Sequence, residues 1–228
     1  MAFETPDLDI SIDFPALGTE RLQAMVEAGR DAVECHRALA QTGDNIVGDL
    51  LRDVETFYEW NHYPDGDVYD PHSHFHVFMR PKGMPEGVSP ASVADFEAPA
   101  DKNDALSHLV AISMDEFGVP IRIFTTNRWV TGEIWYGAGD VCRMVDLFVI
   151  DHTRPSWPVN RWISALIRLF QPQIVRLLEA RDIVVADWAA ANPGLNVYED
   201  RDLEITSVTQ ISLDDQLNQA ITALAAKN

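Results

Sequence analysis

The feature of this sequence that most constrains its fold is a change of hydrophobic period that occurs along the chain. His74–Met79, Leu109–Met114 and Ile121–Thr126 are short runs rich in β-branched, aromatic and other apolar residues. Such runs read as strands when turn residues bound them. Asp115-Glu116-Phe117-Gly118-Val119-Pro120 joins the second to the third as a hairpin, and loops rich in Pro, Gly and Asp (61–71 and 81–104) flank the first. On the N-terminal side the period lengthens. Leu22, Met25, Val26, Ala32, Val33 and Leu39 recur at helical spacing, as do Ile46, Leu50, Leu51, Val54 and Phe57. Gly29 falls on the first of these faces and marks either a weak point or a close packing contact.

Towards the C-terminus, Glu133–Ile150, Val159–Ala180, Ile183–Ala191 and Leu213–Ala226 read as helices. Pro172 is expected to kink or divide the second, and Ser212 to cap the last. Glu204–Ile211 carries β-type residues and is expected to return to the sheet. The expected fold is therefore α+β: a small antiparallel sheet flanked by an N-terminal helical hairpin and several C-terminal helices. The 228 residues suit one domain. It divides into an extended acidic arm (1–17), the helical hairpin (18–60) and an α+β core (61–228).

Charge narrows the partners. Seventeen Lys and Arg stand against 36 Asp and Glu, a net charge of −19. A sequence-independent grip on nucleic acid or anionic lipid needs clustered basic groups, so neither is expected. Two cysteines, Cys35 and Cys142, are too few for a disulfide framework. No run approaches the roughly 18 apolar residues of a membrane span. A cytoplasmic protein with reduced thiols, acting on a small molecule, is the expectation.

The histidines carry the chemical signal. His72, His74 and His76 alternate along one run. On a strand, alternate side chains share a face, about 6.6 Å apart. Imidazoles so spaced converge on one metal when an adjacent strand supplies a further ligand. His108, at the start of the next strand, is that candidate. Glu133 is the candidate carboxylate, as fourth ligand or general base. His74, His76 and His108 with one carboxylate suit Zn²⁺, Fe²⁺ or Mn²⁺. The competing reading is a polar strand face hydrogen-bonded to acidic loops. A cupin barrel also uses an HxH pair, but the glutamate that normally follows is missing here and the helical content is too high.

His62 is a candidate for proton transfer, since an imidazole titrates near neutrality. Asp65–Asp70 lacks the order of a calcium loop and reads as a turn. Arg128 and Arg80 are the candidate anion clamps in so acidic a chain, Trp129 can line a pocket beside Arg128, and Arg128, Trp129 and Asn127 are the candidate substrate-binding residues.

Three motifs occur in order: Glu59-Trp60-Asn61-His62-Tyr63-Pro64-Asp65-Gly66-Asp67-Val68-Tyr69-Asp70, His74-Phe75-His76-Val77-Phe78 and Asn127-Arg128-Trp129-Val130-Thr131-Gly132-Glu133. Together with His108-Leu109-Val110 and Val159-Asn160-Arg161-Trp162, they resemble a family of bacterial proteins classed as a domain of unknown function, over roughly residues 57–182. The resemblance implies no activity. It does imply which residues matter: His62, His74, His76, His108, Asn127, Trp129 and Glu133 fall on motif positions, whereas His72 and His36 do not. The segment between the first two motifs is shorter here than in the family, so His72 stands where the pattern departs.

The functional expectation is a metal-dependent enzyme acting on a small molecule. Zn²⁺ would favour hydrolysis or lyase chemistry and Fe²⁺ oxygenation. The alternative is a non-catalytic protein that binds a metal, haem or small ligand through the same histidines. A third reading has no metal, only a histidine network serving an organic ligand.

Overall fold

The computed structural model describes residues 5, 7–41, 74–94, 99–115, 117–154 and 156–227. The expected second helix of the hairpin, the 61–71 loop, His62 and His72 lie outside the described residues. Within them, the chain is α+β, as its periodicity requires. Four strands, β1 (His74–Met79), β2 (Ser107–Met114), β3 (Pro120–Thr126) and β4 (Ile205–Gln210), form one antiparallel sheet in the order β1-β2-β3-β4. The expected return of the chain to the sheet is thus β4. The described helices are α1 (Thr19–Gln41), α2 (Arg128–Thr131), α3 (Ala138–Leu147), α4 (Trp157–Leu169), α5 (Gln171–Ala191) and α6 (Leu213–Ala225). None of them is long and apolar enough to cross a membrane.

Two of the expected helices are redrawn. Glu133–Ile150 is helical only from Ala138; residues 133–136 run extended beside β2, where the Ile134 amide donates to Leu106 O at 2.8 Å. Val159–Ala180 is divided at Pro172 as expected, because proline fits the first turn of a helix and not its interior. Ile183–Ala191, however, is no separate helix: α5 runs unbroken to Ala191. Nothing between Gln173 and Ala191 is a helix breaker.

One face of the sheet builds the main core. Phe75, Val77, Leu109, Val110, Ile112 and Ile123 pack there with the buried stripes of α1, α4 and α5. The Phe75 and Trp162 rings meet edge-on, 6.2 Å between centroids. Ser207 Oγ donates to Leu177 O at 2.9 Å, tying α5 to this face. α1 packs along α4 and α6. Gly29 is the close contact its position suggests: a Cβ there would lie 2.7 Å from Leu217 Cδ1 on α6. Ser212 caps α6, accepting from the Asp215 amide. The arm covers the β4 edge, with the Leu8 amide donating to Val208 O at 2.8 Å, and so occupies a row of groups open to pairing.

Ala111, Phe124 and Val208 form a separate small cluster on the opposite face. That face carries the histidines.

Candidate functional site

His74, His76 and Phe78 alternate with Phe75, Val77 and Met79, so they project away from the main core. Their cross-strand partners are Ser113, Ala111 and His108. Strict alternation from Ala111 would put Leu109 on the histidine face and His108 in the core. The register shifts by one residue between Val77 and Phe78, leaving β2 one residue longer than its partner. Leu109 and Val110 consequently both join the main core, and His108 turns to the other side. A bulge re-aims side chains in this way, and here it brings together two histidines 32 positions apart.

The result is a close pair. His76 Nδ1 and His108 Nε2 are 3.1 Å apart, both residues are buried and their ring centroids lie 5.0 Å apart. His74, less buried, has its ring centroid 5.0 Å from that of His76 and 5.6 Å from that of Phe124. Phe78 covers His108 at 5.2 Å. Burial holds the His76 pKa down, from 6.5 to about 3, with the neighbouring His74 adding to the effect. Burial likewise holds His108 well below its ordinary value, helped by His76 and Arg181. Both imidazoles are therefore neutral at pH 7, the form that ligates metals.

Glu133 reaches the pair from behind. Asn127 caps α2, its Oδ1 accepting from the Arg128 amide, and Gly132 ends the helix at φ 64°. That left-handed turn suits glycine, and it sends Glu133 along β2. Glu133 Oε2 then accepts from the His108 backbone amide at 2.7 Å, so the carboxyl grips the main chain of His108. Its Oε1 is buried with no hydrogen-bond partner among the described residues. Glu133 is 2% exposed; burial lifts its pKa from 4.5 to about 8, against the opposing pull of Arg181 and of the His108 amide. A buried neutral carboxyl is an acid poised near neutrality. Gly132→Ala is expected to destabilise the protein by about 1 kcal/mol through the forced left-handed backbone, measurable by urea titration; an unchanged midpoint would contradict that role for the turn.

The remaining motif residues surround this turn. Asn127 Nδ2 donates to Val197 O at 2.8 Å, and Trp129 Nε1 to Leu203 O at 2.8 Å. Arg128 pairs with Glu199, and the Arg201 guanidinium lies 5.0 Å from the Trp129 ring centroid. These contacts hold the 196–203 segment against α2. Arg80 pairs with Asp104 at 2.6 Å on the surface, away from the histidines in the β1–β2 connection. In Val159-Asn160-Arg161-Trp162, Asn160 Nδ2 donates to His152 O and Arg154 O, Arg161 pairs with Asp31 and Trp162 is core.

The structure thus brings His76, His108 and Glu133 together, with His74 one step along the strand. Among the described residues no group of three or more His, Cys, Asp or Glu side chains is arranged to hold a metal ion. Sequence reasoning passed over Arg181. Its signal was present: Ile174, Leu177, Leu178, Arg181 and Val185 are all buried on α5 at helical spacing, so a charge sits at an apolar position.

The profile of one protein family, described as "Domain of unknown function (DUF6969)", matches residues 26–73 and 71–211. No curated protein and no solved structure matches the chain.

Proposed function

The chain belongs to the DUF6969 family, a domain of unknown function, and from the site it carries we propose that it is a metal-dependent enzyme acting on a small molecule. The observation that supports this reading is the 3.1 Å approach of two neutral imidazole nitrogens, from His76 and His108. Two nitrogens bound to one ion at about 2.0–2.1 Å, at angles between a right angle and the tetrahedral value, lie about 2.9–3.4 Å apart. The pair has that spacing before any ion arrives. His74, on the same face, is the third ligand of the proposal.

A bound Zn²⁺ or Fe²⁺ would supply Lewis acidity and, for zinc, a water acidic enough to attack at neutral pH. The chain's own residues supply the rest. Glu133 holds a proton near neutrality and fixes the His108 main chain. Phe78 and Phe124 pack against the imidazoles. His62 serves proton transfer in this proposal, and a His62→Asn variant tests it by its rate. Arg128, Trp129 and Asn127 are the proposed substrate-side residues.

The same distance fits an N–H···N hydrogen bond between neutral imidazoles. It favours a second reading, in which the pair recognises an organic ligand without metal. Elemental analysis of untagged protein after gel filtration decides between them. About one equivalent of transition metal per chain is expected, falling at least tenfold in a His76→Ala/His108→Ala double variant that still shows the wild-type far-ultraviolet spectrum. No metal in the wild type, even after anaerobic reconstitution with Fe²⁺ and with Zn²⁺, would leave the second reading in possession.

A further inference from the structure

Arg181 is 1% exposed, at an apolar position of α5. Its Nε and Nη2 donate to Asp182 Oδ1 at 3.0 and 2.8 Å. Nη2 also donates to Tyr136 O at 2.6 Å, and the guanidinium carbon lies 4.2 Å from the Trp135 ring centroid. Asp182 Oδ2 in turn accepts from the Ala138 amide at 2.6 Å, where α3 begins. One ion pair therefore clamps residues 135, 136 and 138 to α5. Glu133 is only two residues from Trp135, a leash of about 7 Å in an extended chain.

We propose that Arg181 is a positioning residue of the histidine site: by clamping Trp135 and Tyr136 to α5 it sets the Glu133 carboxyl on the His108 backbone amide and so fixes His108 against His76. The bonds from the Ile134 amide to Leu106 and from the Ala91 amide to Trp135 O hold this stretch along its length. The Arg181 clamp fixes its distance from α5. A purely structural clamp needs no charge, because an apolar side chain of similar volume avoids desolvating a guanidinium. Of the charges acting on Glu133, that of Arg181 is the strongest. The planar fork also does what a point charge does not: it bonds a carboxylate and a carbonyl while stacking on an indole.

The meaning of this role for catalysis rests on the metal reading above, but its test does not. Amide hydrogen exchange is followed by ¹⁵N–¹H NMR on chelator-treated wild type, Arg181→Met and Arg181→Lys. In Arg181→Met the His108 amide is expected to exchange about tenfold faster relative to the Ala111 and Ile123 amides, the loss of one net hydrogen bond. Arg181→Lys is expected to fail to restore it. Equal acceleration of all three amides in Arg181→Met would show a merely structural residue and overturn the proposal, as would full restoration by lysine. Should Arg181→Met not fold, Asp182→Asn, which loosens the same fork, takes its place: selective acceleration at His108 supports the proposal, and equal acceleration of the three amides overturns it. If the wild type binds no metal, the metal reading falls while the His108 ratio still decides on Arg181. If it does bind metal, weaker binding in Arg181→Met by at least threefold is the matching result.

Discussion

Chelator-treated protein is expected to be most stable near pH 6.5 and to lose stability in both directions, while Glu133→Gln is expected to lose only the alkaline decline. The buried histidines set the acid side. Unfolded, each takes up a proton near its ordinary value of 6.5; folded, His76 does so only at about 3, and His108 also lies well below its ordinary value. Below pH 6.5 the unfolded chain therefore binds more protons, and stability falls as pH falls, by about 1.4 kcal/mol per pH unit for each such group.

Glu133 has the opposite sign. Between 4.5 and about 8 the folded protein holds a proton that the unfolded chain has released. Its contribution is present below 4.5 and is lost as pH rises towards 8. From 4.5 to 6.5 two histidines outweigh one glutamic acid. Above 6.5 only the glutamic acid remains, and about 2 kcal/mol is lost between pH 6.5 and 8. A glutamine has the shape of the neutral carboxyl, accepts from the His108 amide and does not titrate. Urea titrations at pH 5, 6.5 and 8 at constant salt check both halves. A wild type as stable at pH 8 as at 6.5, or a Glu133→Gln protein with the same decline, would show that Glu133 is not held neutral.

Trp162→Ala is expected to destabilise the protein by about 3–5 kcal/mol, the range for removing a buried aromatic and leaving a cavity. Trp162 is 2% exposed on α4, with its ring edge-on to Phe75 of the sheet. The informative comparison is Trp162→Phe. Trp162 Nε1 is buried with no hydrogen-bond partner among the described residues, so among them the indole carries a desolvated donor that phenylalanine lacks. Losing ring volume destabilises, whereas losing an unsatisfied N–H stabilises by about 1–3 kcal/mol. The two nearly offset, and Trp162→Phe is expected within about 1.5 kcal/mol of wild type. Thermal or urea unfolding measures both. A phenylalanine variant as unstable as the alanine one would mean that the indole N–H is satisfied in solution.

Much of this architecture is written in local pattern. Apolar residues in both phases of His74–Met79 point to a strand covered on both sides, and Phe75 on one side and His76 on the other are both buried. Pro172 marks the break between α4 and α5 because proline is incompatible with a helix interior. Ser212, Gly132 and the Asp115-to-Pro120 hairpin act locally, through caps and turns that depend on neighbours in sequence. The start of α3 was less legible. Residues 133–136 carry enough apolar character to extend a helix pattern upstream, and only pairing with Leu106 and Ala91 draws them out straight.

The candidate site divides in the same way. The sequence by itself determined that His74 and His76 share a face and that His108 opens the next strand, because each is a consequence of spacing along one segment, whereas it placed Glu133 at the start of a helix that begins only at Ala138. Which way His108 points was decided only by the tertiary structure. Strict alternation turns it into the core, and the extra residue of β2 opposite Val77 and Phe78 turns it back to His76. A bulge is a property of two paired strands, and neither strand alone encodes it. The charge state of the pair and of Glu133 was decided there too. Burial sets both, and burial depends on everything packed above the sheet. Arg181 belongs to the same class: its sequence position marks it as out of place on an apolar stripe, and only the fold brings Trp135, Tyr136 and Asp182 around it.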